Sequence, residues 1–264
     1  MSTDSMIVKI GGGPARDRTA LQALAAEIHA GVQAGTPIAV VHGGGADVSE
    51  FSRRLGIEST FSDGIRMTGD DEMDVVDMVL CGLVNKRLVR ALTVSGIRAI
   101  GISGADGALF VGTPVTDAQG VLSRTAHVSA VNPDIVTRLW AGGYVPVIAS
   151  PGADEHGDPV NINADEAAFA VGGATGATVM VFLSDVPGVQ GPDGEVIASL
   201  GIAEAERLIT EGTITGGMVA KIRSAAGAIA AGVNHIVIGD YEQPGGLSRL
   251  VSGQSGTTIH GEKG

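Results

Sequence analysis

Aromatic side chains are scarce in this chain: one Trp, two Tyr and five Phe in 264 residues. Cysteine is scarcer still. A single Cys81 excludes an internal disulfide framework and a cysteine-built metal cluster, and its place in a helical pattern marks it as a packing residue. Positive charge is thin as well, with 17 Lys and Arg against 29 Asp and Glu, for a net charge of −12. Nonspecific binding to nucleic acid or to an anionic membrane needs clustered Lys and Arg, so neither partner is expected. No apolar run approaches the roughly 20 residues of a membrane-spanning helix. Met1–Ser5 is too short for a signal peptide, so a cytoplasmic protein is expected. Nowhere does Gly-x-x-x-x-Gly-Lys-Ser/Thr occur, which excludes P-loop mechanics, and the dinucleotide-binding glycine fingerprint is missing too.

Glycine is plentiful, at 41 residues, in a chain that is 44% hydrophobic and rich in Ala, Val and Ile. That profile belongs to an α/β protein with many tight turns, long enough for one large or two modest domains. Short apolar strands are predicted at Met6–Ile10, Pro37–Val41, Arg98–Ile102, Tyr144–Ala149, Thr178–Leu183 and His235–Gly239, with helical spacing between them. Such βα repetition predicts a mainly parallel sheet. Leu109–Ser129, with Gly112, Pro114 and Gly120, reads as a hairpin or excursion. A new strand–loop–helix series begins after Gly172–Gly176, which divides the chain into lobes 1–176 and 177–264.

Asp70–Val94 reads as one long helix. Asp70, Asp71 and Glu72 open it, and Lys86, Arg87 and Arg90 close it, matching the macrodipole at both ends. Its middle, Met78–Val84, is apolar nearly all round, which predicts cover on two sides, from layers of its own chain or from a second subunit.

Two glycine runs, Gly11-Gly12-Gly13 after Lys9-Ile10 and Gly43-Gly44-Gly45 after His42, each separate a strand from a helix. Glycine lets backbone N–H groups approach an anion closely, and the next helix start adds unpaired donors. Either run alone also suits a tight strand-to-helix turn. The pair, with Lys9 at the carboxyl edge of the sheet, points to phosphate, and a cation such as Mg²⁺ has to accompany so anionic a ligand. Three further segments carry polar groups. Asn161–Asp165 precedes a helix, where Asn163 can cap and Asp165 suits the dipole. Ser184-Asp185-Val186-Pro187-Gly188 follows a strand and contains a turn. Thr213–Gly217 leads into a helix whose early Lys221 gains nothing from the dipole.

Taken in order, these segments, with Asp63–Thr68, Val84-Asn85-Lys86, Ile102–Gly107 and Val131-Asn132-Pro133, resemble the amino acid kinase family. Within it they are most similar to the group of acetylglutamate kinases and their sister kinases. The sisters act on aminoadipate or glutamate attached to an acidic amino-group carrier protein. The resemblance implies a three-layer αβα sandwich around a mainly parallel sheet, the acyl amino acid bound by the N-terminal lobe and ATP by the C-terminal lobe. It implies that Lys9 and Lys221 stabilise the transferring phosphoryl group, that Asp165 orients them, and that Gly11, Gly12, Gly44 and Gly45 supply backbone N–H groups. Arg66 and Asn161 would hold the acyl amino acid, and Ser184, Asp185, Thr213, Gly216 and Gly217 the nucleotide.

The chemistry agrees with that inventory. A carboxylate nucleophile is already ionised at neutral pH and needs no general base, so positioning and charge neutralisation remain. Two lysines, glycine N–H groups and Mg²⁺ carried by the nucleotide, with no metal ligand from the protein, would supply these. The expected reaction is ATP-dependent phosphorylation of the side-chain carboxylate of N-acetyl-L-glutamate, by a homodimer. A carrier-linked substrate is the alternative. Cys81–Val89 leans toward the carrier-dependent sisters, whereas Asp63–Thr68 matches the acetylglutamate form and a Tyr-Thr-Gly signature is absent around Ser123–Ser129. An inactive small-molecule-binding regulator is the remote third reading, and it would require loss of Lys9, Asp165 or Lys221.

Overall fold

A computed structural model describes residues 4–62, 65–116, 120–241 and 244–261. Asp63 and Gly64 of the Asp63–Thr68 motif lie outside the described residues. The strands are β1 (Met6–Ile10), β2 (Ile38–His42), β3 (Thr60–Ser62), β4 (Ile65–Met67), β5 (Ala99–Ser103), β6 (Phe110–Thr116) and β7 (Leu122–Val131). They continue as β8 (Val145–Ala149), β9 (Gly152–Ala153), β10 (Pro159–Ile162), β11 (Val179–Ser184), β12 (Ser199–Gly201), β13 (His235–Asp240) and β14 (Thr257–His260). Eight of them form one sheet in the order β12-β14-β13-β11-β1-β2-β8-β5. Every neighbouring pair is parallel except β13 with β14. Strands β2 and β8 are buried at every position. That is why they read as continuous apolar runs: a sheet covered on both faces has no polar side to alternate with.

The helices are α1 (Gly12–Arg16), α2 (Arg18–Gln33), α3 (Gly45–Arg54), α4 (Asp70–Val76), α5 (Asn85–Val94), α6 (Asp134–Ala141), α7 (Ala164–Thr175), α8 (Ile202–Thr210), α9 (Gly217–Ala230) and α10 (Gly246–Val251). One core lies between the sheet and α6–α9, holding Phe169, Phe182, Leu208, Ile222 and Ala225. The other lies between the sheet and α2, α4, α5 and α10, holding Leu24, Ile28, Met73, Leu88 and Leu250. Alternate residues of β1 feed the two cores, Ile7 one and Val8 with Ile10 the other. The result is a three-layer αβα sandwich. The Leu109–Ser129 excursion is an antiparallel hairpin, β6 with β7, that closes into a small barrel with β9 and β10. Helix α7 ends at Thr175 with Gly176 left-handed, and one continuous sheet draws strands from both sides of that point.

The long helix is interrupted. Between α4 and α5, Asp77–Val84 winds as a π-helix, a wider coil that recurs at functional sites. Val79, Leu80 and Val84 are buried in the chain's own core, whereas Met78 and Leu83 are 59% and 36% exposed. One apolar side is thus covered from within, and another faces outward. Glu72, read from sequence as a dipole residue, is in fact buried and ion-paired to Arg66. At the start of α5, the side chains of Asn85 and Lys86 enter the sheet because Gly101 leaves room: a Cβ there would stand 1.9 Å from Asn85 Oδ1 and 2.6 Å from Lys86 Nζ. Gly101→Ala is therefore expected to expel Asn85 and cost about 1–3 kcal/mol, the usual penalty of overpacking. Chemical denaturation that left the midpoint unchanged would contradict this.

Candidate active site

Strands β1 and β2 are neighbours at the centre of the sheet, with β11 beyond β1. Their carboxyl ends therefore open onto one crevice, where chain direction switches from one side of the sheet to the other. The two glycine runs lie here. Gly11 donates its N–H to Leu183 O at 3.0 Å, and a Cβ on it would press on that same oxygen at 2.9 Å. Gly44 has φ +157°, a backbone conformation that requires glycine, and a Cβ there would also meet Leu80 Cδ2 at 2.9 Å. Each run opens a helix, α1 after Gly11 and α3 after Gly44. Asp47, in the first turn of α3, is 4% exposed and pairs with Arg16 of α1 at 3.4 Å and Arg87 of α5 at 3.2 Å. The two loops are thereby tied to each other and to the long helix.

Between them stands a charge centre. Lys9 comes from β1, Asp165 from the first turn of α7, and Lys221 from the second turn of α9. Lys9 Nζ lies 2.7 Å from Asp165 Oδ1, and Lys221 Nζ donates to Asp165 Oδ2. Burial alone would push the Asp165 carboxyl up, but the two lysines overbalance it and hold it below the ordinary aspartate value. The Lys221 ammonium also rests 5.5 Å from the centre of the Phe182 ring, which stacks on Phe169. Asn163 caps α7 by accepting from the N–H groups of Asp165 and Glu166, which frees the Asp165 side chain for the lysines.

Two cavities meet at this centre, and Lys9, Gly11 and Asp165 line both. The smaller, of about 280 Å³, is walled by Gly43–Gly45, Arg66, Asn161 and Asn163, together with the exposed Phe61 and Ile65 of the antiparallel pair β3 and β4. Asn161 donates to Thr68 Oγ1 at 2.9 Å. Arg66 is 8% exposed, and its terminal nitrogens are already engaged with Glu72, Ser59 Oγ, Ser49 Oγ and Gly45 O. Among the described residues its Nε is the guanidinium donor left without a protein partner. The larger cavity, of about 960 Å³, is lined by Ser184, Asp185 and Lys221 together with Asp240, Tyr241 and Pro244. Ser184 and Asp240 are register partners at the ends of β11 and β13. Thr213, Gly216 and Gly217 do not line it; they form the approach to α9, with Gly216 at φ +59° as its N-cap.

Sequence reasoning missed Asp240 and Tyr241, although the signal was available: like Lys9, they stand where a parallel strand ends. Tyr241 is fixed by donating to Glu27 Oε1 at 2.6 Å, and burial, reinforced by that carboxylate, raises its phenol above the ordinary value. The engagement of Arg66 by Glu72 had no sequence signal, because a first-turn glutamate already has a local explanation.

A profile of the amino acid kinase family matches residues 4–240. The chain belongs to the amino acid kinase family. An acetylglutamate kinase of Oleidesulfovibrio alaskensis is 38% identical over 248 residues, covering 90% of this chain and 84% of that protein. One from Solibacter usitatus is 38% identical over 249 residues, covering 94% and 96%. Among solved structures, an N-acetylglutamate synthase from Neisseria gonorrhoeae superposes with a TM-score of 0.87 at 21% identity, over 99% of this chain and 60% of that one, a likeness of fold. In this amino acid kinase the lysine–aspartate–lysine centre carries a pH signature. An aspartate held below 3.8 stabilises the fold fully above that value and loses its contribution as pH falls through the depressed one. The melting-temperature gap between wild type and Asp165→Asn should thus be widest near neutrality and close below about pH 4. A gap independent of pH would contradict the ionised pairing.

Proposed function

We propose that the chain is an ATP-dependent kinase that phosphorylates the side-chain carboxylate of N-acetyl-L-glutamate, giving an acyl phosphate. The observation that carries this reading is the Lys9–Asp165–Lys221 centre at the junction of two cavities. Phosphoryl transfer needs a donor site and an acceptor site that meet at cationic groups. The names of the curated relatives favour the acetyl-blocked substrate over the carrier-linked one.

In this reading residues 1–176 hold the acyl amino acid in the smaller cavity, with Asn161, Arg66 and the Gly44 and Gly45 N–H groups around it. Residues 177–264 supply one wall of the larger cavity, where Ser184 and Asp185 face the nucleotide and Gly216 and Gly217 bring in the helix of Lys221, while α1, the start of α2 and the first glycine loop supply most of the rest. The substrate carboxylate, ionised without help, attacks the γ-phosphorus; the new O–P bond forms as the bond to the ADP oxygen breaks. Lys9, Lys221 and the N–H groups of Gly12 and Gly44 meet the charge spread over the transferring group. Asp165 holds the two ammonium groups together and aimed. Among the described residues no three metal-ligating side chains converge. Mg²⁺ carried on the nucleotide phosphates would neutralise part of their charge.

Lys9→Ala and Lys221→Ala should each lower kcat by roughly 100-fold or more, while far-ultraviolet dichroism stays that of wild type. The assay is hydroxylamine trapping of the acyl phosphate made from N-acetylglutamate and ATP. Near-normal turnover in both variants would overturn the reading.

A homodimer through the outward apolar side of the π-helix completes the proposal. Met78 and Leu83 are large, exposed and adjacent on it, and an apolar helix face meeting its own copy suits a twofold contact. Leu83→Asp should shift sedimentation from dimer to monomer without unfolding, because Leu83 is not part of the internal core. A wild type that is monomeric at micromolar concentration would rule this contact out.

A further inference from the structure

Behind the second glycine loop lies a pair of fully buried polar side chains that the mechanism does not yet use. His42, the last residue of β2, and Asn85, the first of α5, are both 0% exposed. Polar groups so placed persist only when hydrogen-bonded. Asn85 Nδ2 donates to Val147 O at 2.8 Å and Ile102 O at 3.3 Å and lies 3.1 Å from His42 Nε2. Its Oδ1 accepts from Lys86 Nζ at 3.0 Å, which settles which end of the amide faces the histidine. An amide nitrogen cannot accept a ring proton, so Nε2 is the unprotonated nitrogen and the single ring proton sits on Nδ1, 3.0 Å from Gly43 O. Burial lowers the ring pKa to about 4, so the ring stays neutral at neutral pH.

The Gly43 carbonyl is thus held toward His42. The Gly43–Gly44 peptide is trans, as are all the described peptide bonds, so its N–H points the opposite way. That N–H belongs to Gly44. Gly43, Gly44 and Gly45 wall the smaller cavity, and among the described residues the Gly44 N–H has no partner. Leu80 and Val84 of the π-helix fill the space where a Gly44 side chain would stand and close the loop from beneath.

We infer that His42 and Asn85 are positioning residues, a hydrogen-bonded relay that locks the Gly43–Gly44 peptide with its N–H aimed at the reacting groups. The inference rests on the kinase reading of the same site. Neither side chain touches substrate. Both act through the backbone donor, and their effect falls on transition-state stabilisation rather than on binding.

Two polar substitutions separate this role from simple packing. In His42→Asn the amide nitrogen reaches near the position of Nδ1 and can still donate to Gly43 O. In His42→Gln it reaches near Nε2 and cannot. The expected result is a kcat lowered about 10- to 100-fold in H42Q, with the KM values for ATP and N-acetylglutamate within about threefold of wild type, and most of kcat restored in H42N. Melting temperatures of the two variants measure their folding separately. Equal kcat in H42Q and wild type, equal loss in both variants, or a loss confined to KM would each overturn the inference. A wild type that forms no acyl phosphate from N-acetylglutamate would instead overturn the functional reading. The Gly44 amide resonance, followed by NMR with inorganic phosphate as the probe, then decides the loop geometry independently of turnover. A shift on adding phosphate in wild type and H42N but not in H42Q supports the relay, and equal shifts in all three refute it.

Discussion

Everything at the candidate site depends on one carboxylate shared between two ammonium groups. Lys9 and Lys221 come from strands and helices more than two hundred residues apart in sequence, and both reach Asp165. Without that negative charge, two like charges would face each other in a half-buried crevice and splay. With it, both are held in the crevice and aimed at the same point. The arrangement also explains why Asn163 is needed. By capping α7 through its own side chain, it leaves Asp165 free for the lysines instead of the helix N-terminus.

A second ionic tie works at longer range. The glycine loops carry no side chains that could hold them in place, and glycine is the residue with the most backbone freedom to lose. Their order is imposed from outside: Asp47 joins α1, α3 and α5 through Arg16 and Arg87, Leu183 O fixes Gly11, and His42 holds the Gly43 carbonyl. The helix starts that would receive phosphate oxygens are thus set before any ligand arrives. Preorganisation of this kind is where electrostatic catalysis draws most of its strength, because no dipole has to turn when charge develops.

Much of this was legible in the chain. Apolar runs such as Pro37–Val41 and Tyr144–Ala149 announced strands, and their alternation with helical spacing announced a parallel sheet. Lys9 stood out because a lysine ending an apolar strand has to emerge at the sheet edge. Other features left no trace. The π-helix at Asp77–Val84 has the same composition as an α-helix, and Glu72 looked like an ordinary dipole residue until Arg66 was found against it. Asp240 and Tyr241 did carry a signal, the end of the strand His235–Gly239, and were passed over because no glycine run or lysine marked it.

The order of residues alone determined the class of fold, the positions of both glycine loops and the identities of the charged residues around them. Those are local matters: periodicity, turn chemistry and the absence of rival signatures. Which groups meet was decided only by tertiary structure. That Lys9, Asp165 and Lys221 converge, that Arg66 turns onto Glu72, and that His42 lies against Asn85 follows from how the two helical layers close over the sheet. The physical reason is distance along the chain. A pattern reports what a residue does to its neighbours within a few positions, whereas an ion pair between distant residues exists only once hydrophobic burial has brought the layers together.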